Sequence, residues 1–102
     1  MVYLFRTVKM KGNWEKMEEV TARFLDHWRK IKEVKSVEFW GNISGDQEEG
    51  HIVVGFDSLA DEEKFVMQLM KDDKFEEVMM QFADVYTIGN DRLFRVWDPN
   101  KH

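Results

Sequence analysis

The amino-acid sequence predicts a single α+β domain over residues 1–102, ordered β-α-β-β-α-β, with an antiparallel sheet that carries its helices on one face. Three observations lead to this fold class. A strand-helix-strand pattern occurs twice. Each helical segment is long enough to cross over a sheet. A chain of 102 residues can bury one hydrophobic core but is too short for two. This order is the split βαβ, or ferredoxin-like, arrangement.

The first half of the chain contains the first of these units. Val2–Met10 is predicted to be a strand because β-branched and aromatic residues alternate there with polar ones. Asn13 is a suitable N-cap for a helix with an apolar stripe at three- and four-residue steps, formed by Trp14, Met17, Thr21, Phe24, Trp28 and Ile31. Val34–Ile43 is a second strand, which an acidic loop, 44–50, connects to an antiparallel third strand, His51–Phe56.

The second half begins with two helix-capping patterns. Ser58, three residues before Asp61, predicts that a second helix starts near Leu59. Asp73 opens a second capping pattern, so this helical region is expected to break near 71–73 and then resume.

The C-terminal part of the sequence is expected to return to the sheet. Asp84–Ile88 is predicted to be the fourth strand, and 89–91 (Gly-Asn-Asp) a turn. Leu93–Trp97 alternates again, either as a fifth strand or as a continuation of the fourth strand past a bulge. Asp98 and Pro99 are expected to end it.

Most strands carry apolar side chains in both of their alternating sets. In the first strand, one set contains Val2, Leu4 and Val8 and the other contains Tyr3 and Phe5. In the last strand, one set contains Leu93 and Trp97 and the other contains Phe94 and Val96. One set meets the helices, and the other would expose several aromatic rings, each of about 150–250 Å² when fully buried. We therefore expect a second copy of the chain to cover this open sheet face, as a twofold-symmetric homodimer.

Two short segments carry a resemblance to a known superfamily. Residues 56–65 (FDSLADEEKF) and 71–75 (KDDKF) resemble the third strand and split second helix of dimeric α+β barrel proteins, which include the antibiotic-biosynthesis monooxygenase-like, NIPSNAP-like and stress-responsive barrel groups. The resemblance implies two sheets that face each other across a dimer barrel, and small molecules held between sheet and helices. It identifies a fold superfamily and does not identify an activity.

The resemblance does not carry over a catalytic site. Cofactor-free oxygenases and haem-degrading members of the superfamily use an Asn on the first strand with a Trp, and often a His, on the second helical region. Here the first strand has no Asn, and 59–83 contain neither Trp nor His. The catalytic residues stay unassigned, and whether the protein is an enzyme stays open.

Charge and composition exclude several classes of function. The formal net charge of −5 would repel a phosphate backbone, so no nucleic-acid partner is expected. Without cysteine there is no thiolate metal site, the three His are far apart in sequence, and no metal site or cofactor is predicted. The start of the chain is interrupted by Arg6 and Lys9, so neither a signal peptide nor a membrane anchor is expected, and a soluble, cytoplasmic protein is the default.

Six residues are candidates for ligand binding. His51, Glu38 and Trp40 share a hairpin and could converge at one pocket mouth, where they would suit proton transfer or ligand orientation, although Glu38 could equally be a cross-strand partner and His51 a loop-edge residue. The other three candidates are Arg6, Arg95 and Trp28.

The two arginines interrupt apolar strands, and the tryptophan belongs to the helical stripe. Arg6 and Arg95 could bind a small acid, pair with carboxylates of a partner subunit, or edge the dimer interface. Trp28 is expected in the core, where a pocket between helix and sheet would also expose it to a ligand.

These observations favour a homodimeric barrel that binds a small, partly apolar or aromatic molecule between sheet and helices. One alternative is a cofactor-independent monooxygenase-like or isomerase enzyme, which rests on the resemblance and on a His51–Glu38 pair. The other is a structural or regulatory interaction module without a pocket.

Overall fold

A computed structural model describes residues 1–12 and 14–95 of the chain, which form one four-stranded antiparallel sheet and three helices. The strands lie in the order β2-β3-β1-β4. The element order confirms the predicted α+β, ferredoxin-like class. The elements are β1 (Val2–Met10), α1 (Trp14–Arg29), β2 (Ser36–Gly41), β3 (Glu49–Phe56), α2 (Leu59–Met70), α3 (Asp73–Val85) and β4 (Tyr86–Arg95).

The central strand β1 determines which side chains face the helices. Its even-numbered apolar residues, Val2, Leu4 and Val8, are buried, and they pair with helix-facing residues of β3, such as Leu4 with Val54. Its odd-numbered residues therefore point to the other side of the sheet. The strand has the bounds that its alternation predicts, whereas β2 is shorter than the predicted Val34–Ile43 and β3 begins two residues before His51.

The core lies between this sheet face and the helices. The α1 stripe is confirmed at Met17, Phe24 and Trp28, which are buried, and the last two have no solvent exposure. The Phe24 ring lies 4.3 Å from the Trp28 ring and 4.6 Å from that of Phe82 on α3, centroid to centroid. Trp14, predicted in the same stripe, is the first residue of the helix and is 62% exposed.

The break in the second helical region is confirmed. The Ser58 hydroxyl accepts a hydrogen bond from the backbone N–H of Asp61, so α2 starts at Leu59 as predicted. The cap of α3 is Asp72 and not Asp73, because the Asp72 carboxylate accepts from the backbone N–H of Lys74. The predicted cap of α1, Asn13, lies outside the described residues.

The last strand differs from its prediction. Helix α3 continues to Val85, so β4 starts at Tyr86, and 89–91 lie inside the strand instead of forming a turn. Arg6 pairs with Asp91 but Val8 pairs with Ile88, so two residues of β4 oppose Thr7 as a bulge. Residues 91–95 therefore continue the fourth strand past a bulge, the second of the two alternatives. The residues after Arg95, including Val96, Trp97, Asp98 and Pro99, lie outside the described part of the chain.

The open face of the sheet carries the second set of aromatic side chains, as the alternation predicts. Phe5 lies at its centre, with ring centroids 5.5 Å from Trp40 and 4.8 Å from Phe94, both in edge contacts. Trp40 and Phe94 are each 47% exposed. The chain therefore presents to solvent a cluster of rings that its own helices do not cover.

Candidate functional site

A cleft of about 520 Å³ opens between the sheet and the second helical region. Its volume is in the range of small-molecule sites in proteins. Apolar side chains from β1, β4 and all three helices make most of its walls: Leu4, Trp28, Phe65, Val66, Leu69, Met70, Phe75 and Leu93. Four charged residues complete the lining: Arg6, Glu62, Asp91 and Arg92.

The helical wall is open to solvent at its outer end. Val66 and Met70 lie one turn apart on α2 and are 40% and 82% exposed. Leu93, on the opposite wall formed by β4, is 48% exposed. Deeper in the cleft, Phe65 is buried, and its ring lies 4.9 Å from that of Trp28. The cleft thus has a closed apolar end and an open apolar mouth.

The strongest polar feature of the cleft is an ion pair across β1 and β4. Arg6 donates two hydrogen bonds to the carboxylate of Asp91, from Nε to Oδ1 at 2.8 Å and from Nη2 to Oδ2 at 2.9 Å. The Arg6 side chain is 17% exposed and that of Asp91 42%. The guanidinium carbon also lies 5.7 Å from the centre of the Trp28 ring, in reach of a cation–π contact.

Asp91 is a site residue that the sequence reasoning missed. Its place after Gly and Asn is typical of a turn, and no local pattern connects it with Arg6, 85 positions earlier. The bulge opposite Thr7 adds one residue to β4, which turns Asp91 to the helix-facing side and opposite Arg6. A polar residue aligned with Arg6 would have been the signal, but it becomes visible only when the register is known.

Two further polar groups border the cleft. Glu62 lies on the α2 wall, where its burial, together with the neighbouring charge of Glu63, raises the pKa of its carboxyl. The indole Nε1 of Trp28 is buried and has no hydrogen-bond partner among the described residues. Arg92 pairs with Phe5 in the strand register, so its side chain is directed to the open face of the sheet.

Three of the six predicted site residues lie on that open face, away from the cleft. Trp40 is the direct cross-strand partner of His51, and Glu38 is two pairs further along, opposite Val53. The His51 ring nitrogens lie 3.2 Å from the Thr7 hydroxyl and 3.2 Å from the Asn42 side-chain oxygen. The His51 ring therefore pairs with Thr7 and Asn42, and not with Glu38 as the sequence had suggested.

The structure thus divides the predicted set by sheet face. Arg6 and Trp28 meet in the cleft, whereas His51 borders a shallow hollow of about 480 Å³ on the open face, beside Phe5 and Phe94. Arg95 ends β4 opposite Val2 and is exposed. Among residues 1–12 and 14–95, no group of three or more His, Asp or Glu side chains could hold a metal ion.

Comparison with known proteins identifies the fold. No protein-family model matches the sequence, and no curated protein matches it. Solved structures do match. They include SnoaB, a cofactor-independent oxygenase from Streptomyces nogalater, with a TM-score of 0.77, 10% identity and coverage of 99% of this chain and 97% of that one.

Two other solved structures agree. Protein Atu4242 from Agrobacterium tumefaciens has a TM-score of 0.75 and 18% identity over 93% of this chain and 92% of its own. A proposed antibiotic biosynthesis monooxygenase from Nitrosomonas europaea has a TM-score of 0.72 and 9% identity over 94% and 98%. The chain therefore has the α+β fold of antibiotic-biosynthesis monooxygenase-like proteins, as its two short segments predicted. Within the described residues, no helix has the length and apolarity needed to cross a lipid bilayer.

Proposed function

We propose that the protein is a homodimer that binds a small, partly apolar or aromatic molecule in the cleft between sheet and helices. The cleft itself carries this proposal, because its walls are apolar and its volume of about 520 Å³ suits a molecule of one to three rings. The same cleft argues against a module that serves assembly alone.

The apolar mouth of the cleft provides the driving force for binding. Val66, Met70 and Leu93 are partly exposed there, and a ligand that covers them removes apolar surface from water at about 25 cal/mol per Å². The buried rings of Phe65 and Trp28 offer flat surfaces for edge or stacked contacts with an aromatic ligand.

The open sheet face supports the homodimer. One row of side chains runs across it from β2 to β4 in the order Glu38, Val53, Phe5 and Arg92. A twofold axis parallel to the strands would place β2 of one copy against β4 of the other, so that Glu38 of each copy faces the partner's Arg92. This row of side chains is apolar at its centre and oppositely charged at its two ends, so it is complementary to the same row on a second copy.

An enzyme activity is the second candidate, since SnoaB, described as a cofactor-independent oxygenase, has the same fold. His51 is the candidate proton-transfer group, with Thr7 and Asn42 in hydrogen-bond distance. Turnover of a quinol-type substrate that is lost in His51→Ala would support this function, whereas full activity in that variant would remove His51 from the mechanism.

Binding is tested by thermal shift with a panel of bicyclic aromatic alcohols and acids, with 2-naphthol as the first probe. A ligand at ten times its Kd stabilises the protein by about 1.4 kcal/mol, which raises the Tm by roughly 6–11 °C. Leu93→Trp should fill the mouth and abolish the shift. Ile88→Trp is the matched control, because Ile88 is also partly exposed on the same face of β4 but is not part of the cleft lining.

The outcome that contradicts binding is a panel that leaves the Tm unchanged, or equal shifts in Leu93→Trp and the wild type.

The homodimer is tested by sedimentation. Phe94→Glu, in the aromatic cluster, should give monomers, and Met80→Glu, at a 67% exposed position of α3, should not. Monomeric wild-type protein at micromolar concentration would refute the homodimer.

A further inference from the structure

The charge that the cleft offers to a ligand is already balanced within the protein. Arg6 presents its Nε and Nη2 edge, the edge that binds carboxylates bidentately, to Asp91 at 2.8 and 2.9 Å. A ligand carboxylate would have to displace Asp91, or bind at another edge of a guanidinium whose charge Asp91 already offsets. Arg6 is thus a poor anchor for an anion.

The other charged groups of the lining do not reverse this balance. Glu62 is acidic, and burial together with the neighbouring charge of Glu63 raises the pKa of its carboxyl, so this wall adds no cation that could bind an anion. Arg92 is exposed and directed to the open face. Without Arg92, the formal charges of Arg6, Asp91 and Glu62 sum to −1, so a buried anion would lose its hydration without a net attraction to replace it.

The position of Asp91 depends on a special feature of the backbone. Gly89 and Asn90 together oppose Thr7, and this extra residue places Asp91 on the helix-facing side of β4. Yet with side-chain exposures of 17% and 42%, the pair sits where solvent weakens it, and such pairs contribute about 0–1 kcal/mol to stability. Stabilisation of the fold alone is therefore a weak explanation for the presence of the Asp91 carboxylate beside the cleft.

From these observations we infer that Asp91 determines the charge preference of the cleft. The cleft binds neutral, mostly apolar molecules that carry one polar group in preference to carboxylates. The inference rests on the proposed function and names the ligand class for the same cleft. It also replaces the small acid that the sequence suggested as the partner of Arg6.

Titrations with two probes of one shape test this inference. At about pH 7, 2-naphthol is neutral and 2-naphthoate is an anion. The wild type should bind 2-naphthol at least about tenfold more tightly than 2-naphthoate. Asp91→Asn frees Arg6, so its affinity for 2-naphthoate should rise about tenfold, while that for 2-naphthol stays within about threefold. Asp91→Thr, which suits a strand, repeats the test if Asn weakens β4.

Two controls assign the effect. In Arg6→Gln/Asp91→Asn the gain for 2-naphthoate should disappear, because the freed cation is gone. Asp46→Asn removes a carboxylate that pairs with Lys9 at 3.1 Å, outside the cleft lining, and should leave both affinities unchanged.

The outcomes separate this inference from the proposed function. Equal wild-type affinities for the two probes, an unchanged affinity of Asp91→Asn for 2-naphthoate, or a gain that persists in the double variant would each overturn the charge preference while the cleft still binds 2-naphthol. If neither probe binds to any variant, the proposed cleft function fails and the inference fails with it.

Discussion

Gly89 approaches the backbone of Thr7 so closely that a Cβ atom at residue 89 would lie 2.9 Å from the Thr7 carbonyl oxygen. This contact lies at the bulge that places Asp91 opposite Arg6. A side chain at residue 89 would push β4 away from the central strand, so the position of the cleft's ion pair depends on this glycine.

We expect Gly89→Ala to lower the free energy of unfolding by about 1–3 kcal/mol, because backbone atoms cannot move aside as a flexible side chain can. Urea unfolding measures the change. Gly41→Ala is the control, since Gly41 also lies in a strand but a Cβ there meets nothing within 4 Å. Equal unfolding midpoints for the two variants would refute the steric role of residue 89.

The hydroxyl groups of Thr21 and Tyr86 are 2.7 Å apart and connect α1 to the start of β4. Tyr86→Phe should cost about 1 kcal/mol of stability, the typical value of one such hydrogen bond. Chemical denaturation of this variant measures the loss. Tyr3→Phe, on the open sheet face, should cost less, and equal losses would contradict the role of the Thr21–Tyr86 bond.

Burial raises the pKa of Tyr86 above its ordinary value of 10.0, although the hydrogen bond with Thr21 partly opposes this rise. Folding therefore favours the protonated phenol. Its contribution is fully present below pH 10.0 and is lost as the pH rises through the higher pKa of the folded state. When the pH is raised above 10.0, the wild type should lose more stability than Tyr86→Phe, which has no phenol to titrate. Tm measurements at alkaline pH can show this difference.

Asp72 joins two parts of the helical layer. Its carboxylate caps α3 and lies 2.8 Å from Nε2 of His27 on α1. Its burial raises the pKa of the carboxyl, but the hydrogen bonds from His27 and from the backbone N–H groups of Phe75 and Lys74 outweigh this and lower it. The carboxylate form is thus favoured by folding.

The stability from this carboxylate is present above its ordinary pKa of 3.8 and is lost as the pH falls through the lower pKa of the folded state. Asp72→Asn keeps a good N-cap but cannot titrate, so its Tm should fall less than that of the wild type below pH 3.8. Asp73→Asn, which removes a neighbouring charge and leaves the Asp72 cap in place, is the control variant. Parallel acid curves for wild type and Asp72→Asn would contradict this account.

Ser58 caps α2 through its hydroxyl, which accepts from the backbone N–H of Asp61 at 3.2 Å. Ser58→Ala should lower the free energy of unfolding by about 1 kcal/mol, because this N–H loses its side-chain acceptor. Guanidinium unfolding measures the difference against Ser44→Ala, an exposed loop serine. A loss no larger than that of Ser44→Ala would show that the cap contributes nothing.

The parts of the fold that the sequence predicted well are those with local causes. Alternation over Val2–Met10 and the helical spacing of Phe24 and Trp28 come from the geometry of single elements. The helix start after Ser58 and the break before α3 come from hydrogen bonds between residues two to four positions apart. Signals of this kind are written in consecutive residues.

The candidate site was harder to predict because it depends on register. The face that His51 occupies, away from Arg6 and Trp28, follows from which residues of β1 and β3 align. The approximate location of the cleft was implied by the superfamily resemblance, but its charge balance was not.

The sequence by itself thus determined the element order, the helix-facing stripe and the aromatic open face, since each of these results from short-range periodicity and capping. Only the tertiary structure decided that Asp91 neutralises Arg6. One extra residue in β4 turns the Asp91 carboxylate to the helix-facing side. The position of that extra residue depends on how β1 and β4, which are distant in sequence, pair, and on the close approach of Gly89 to Thr7.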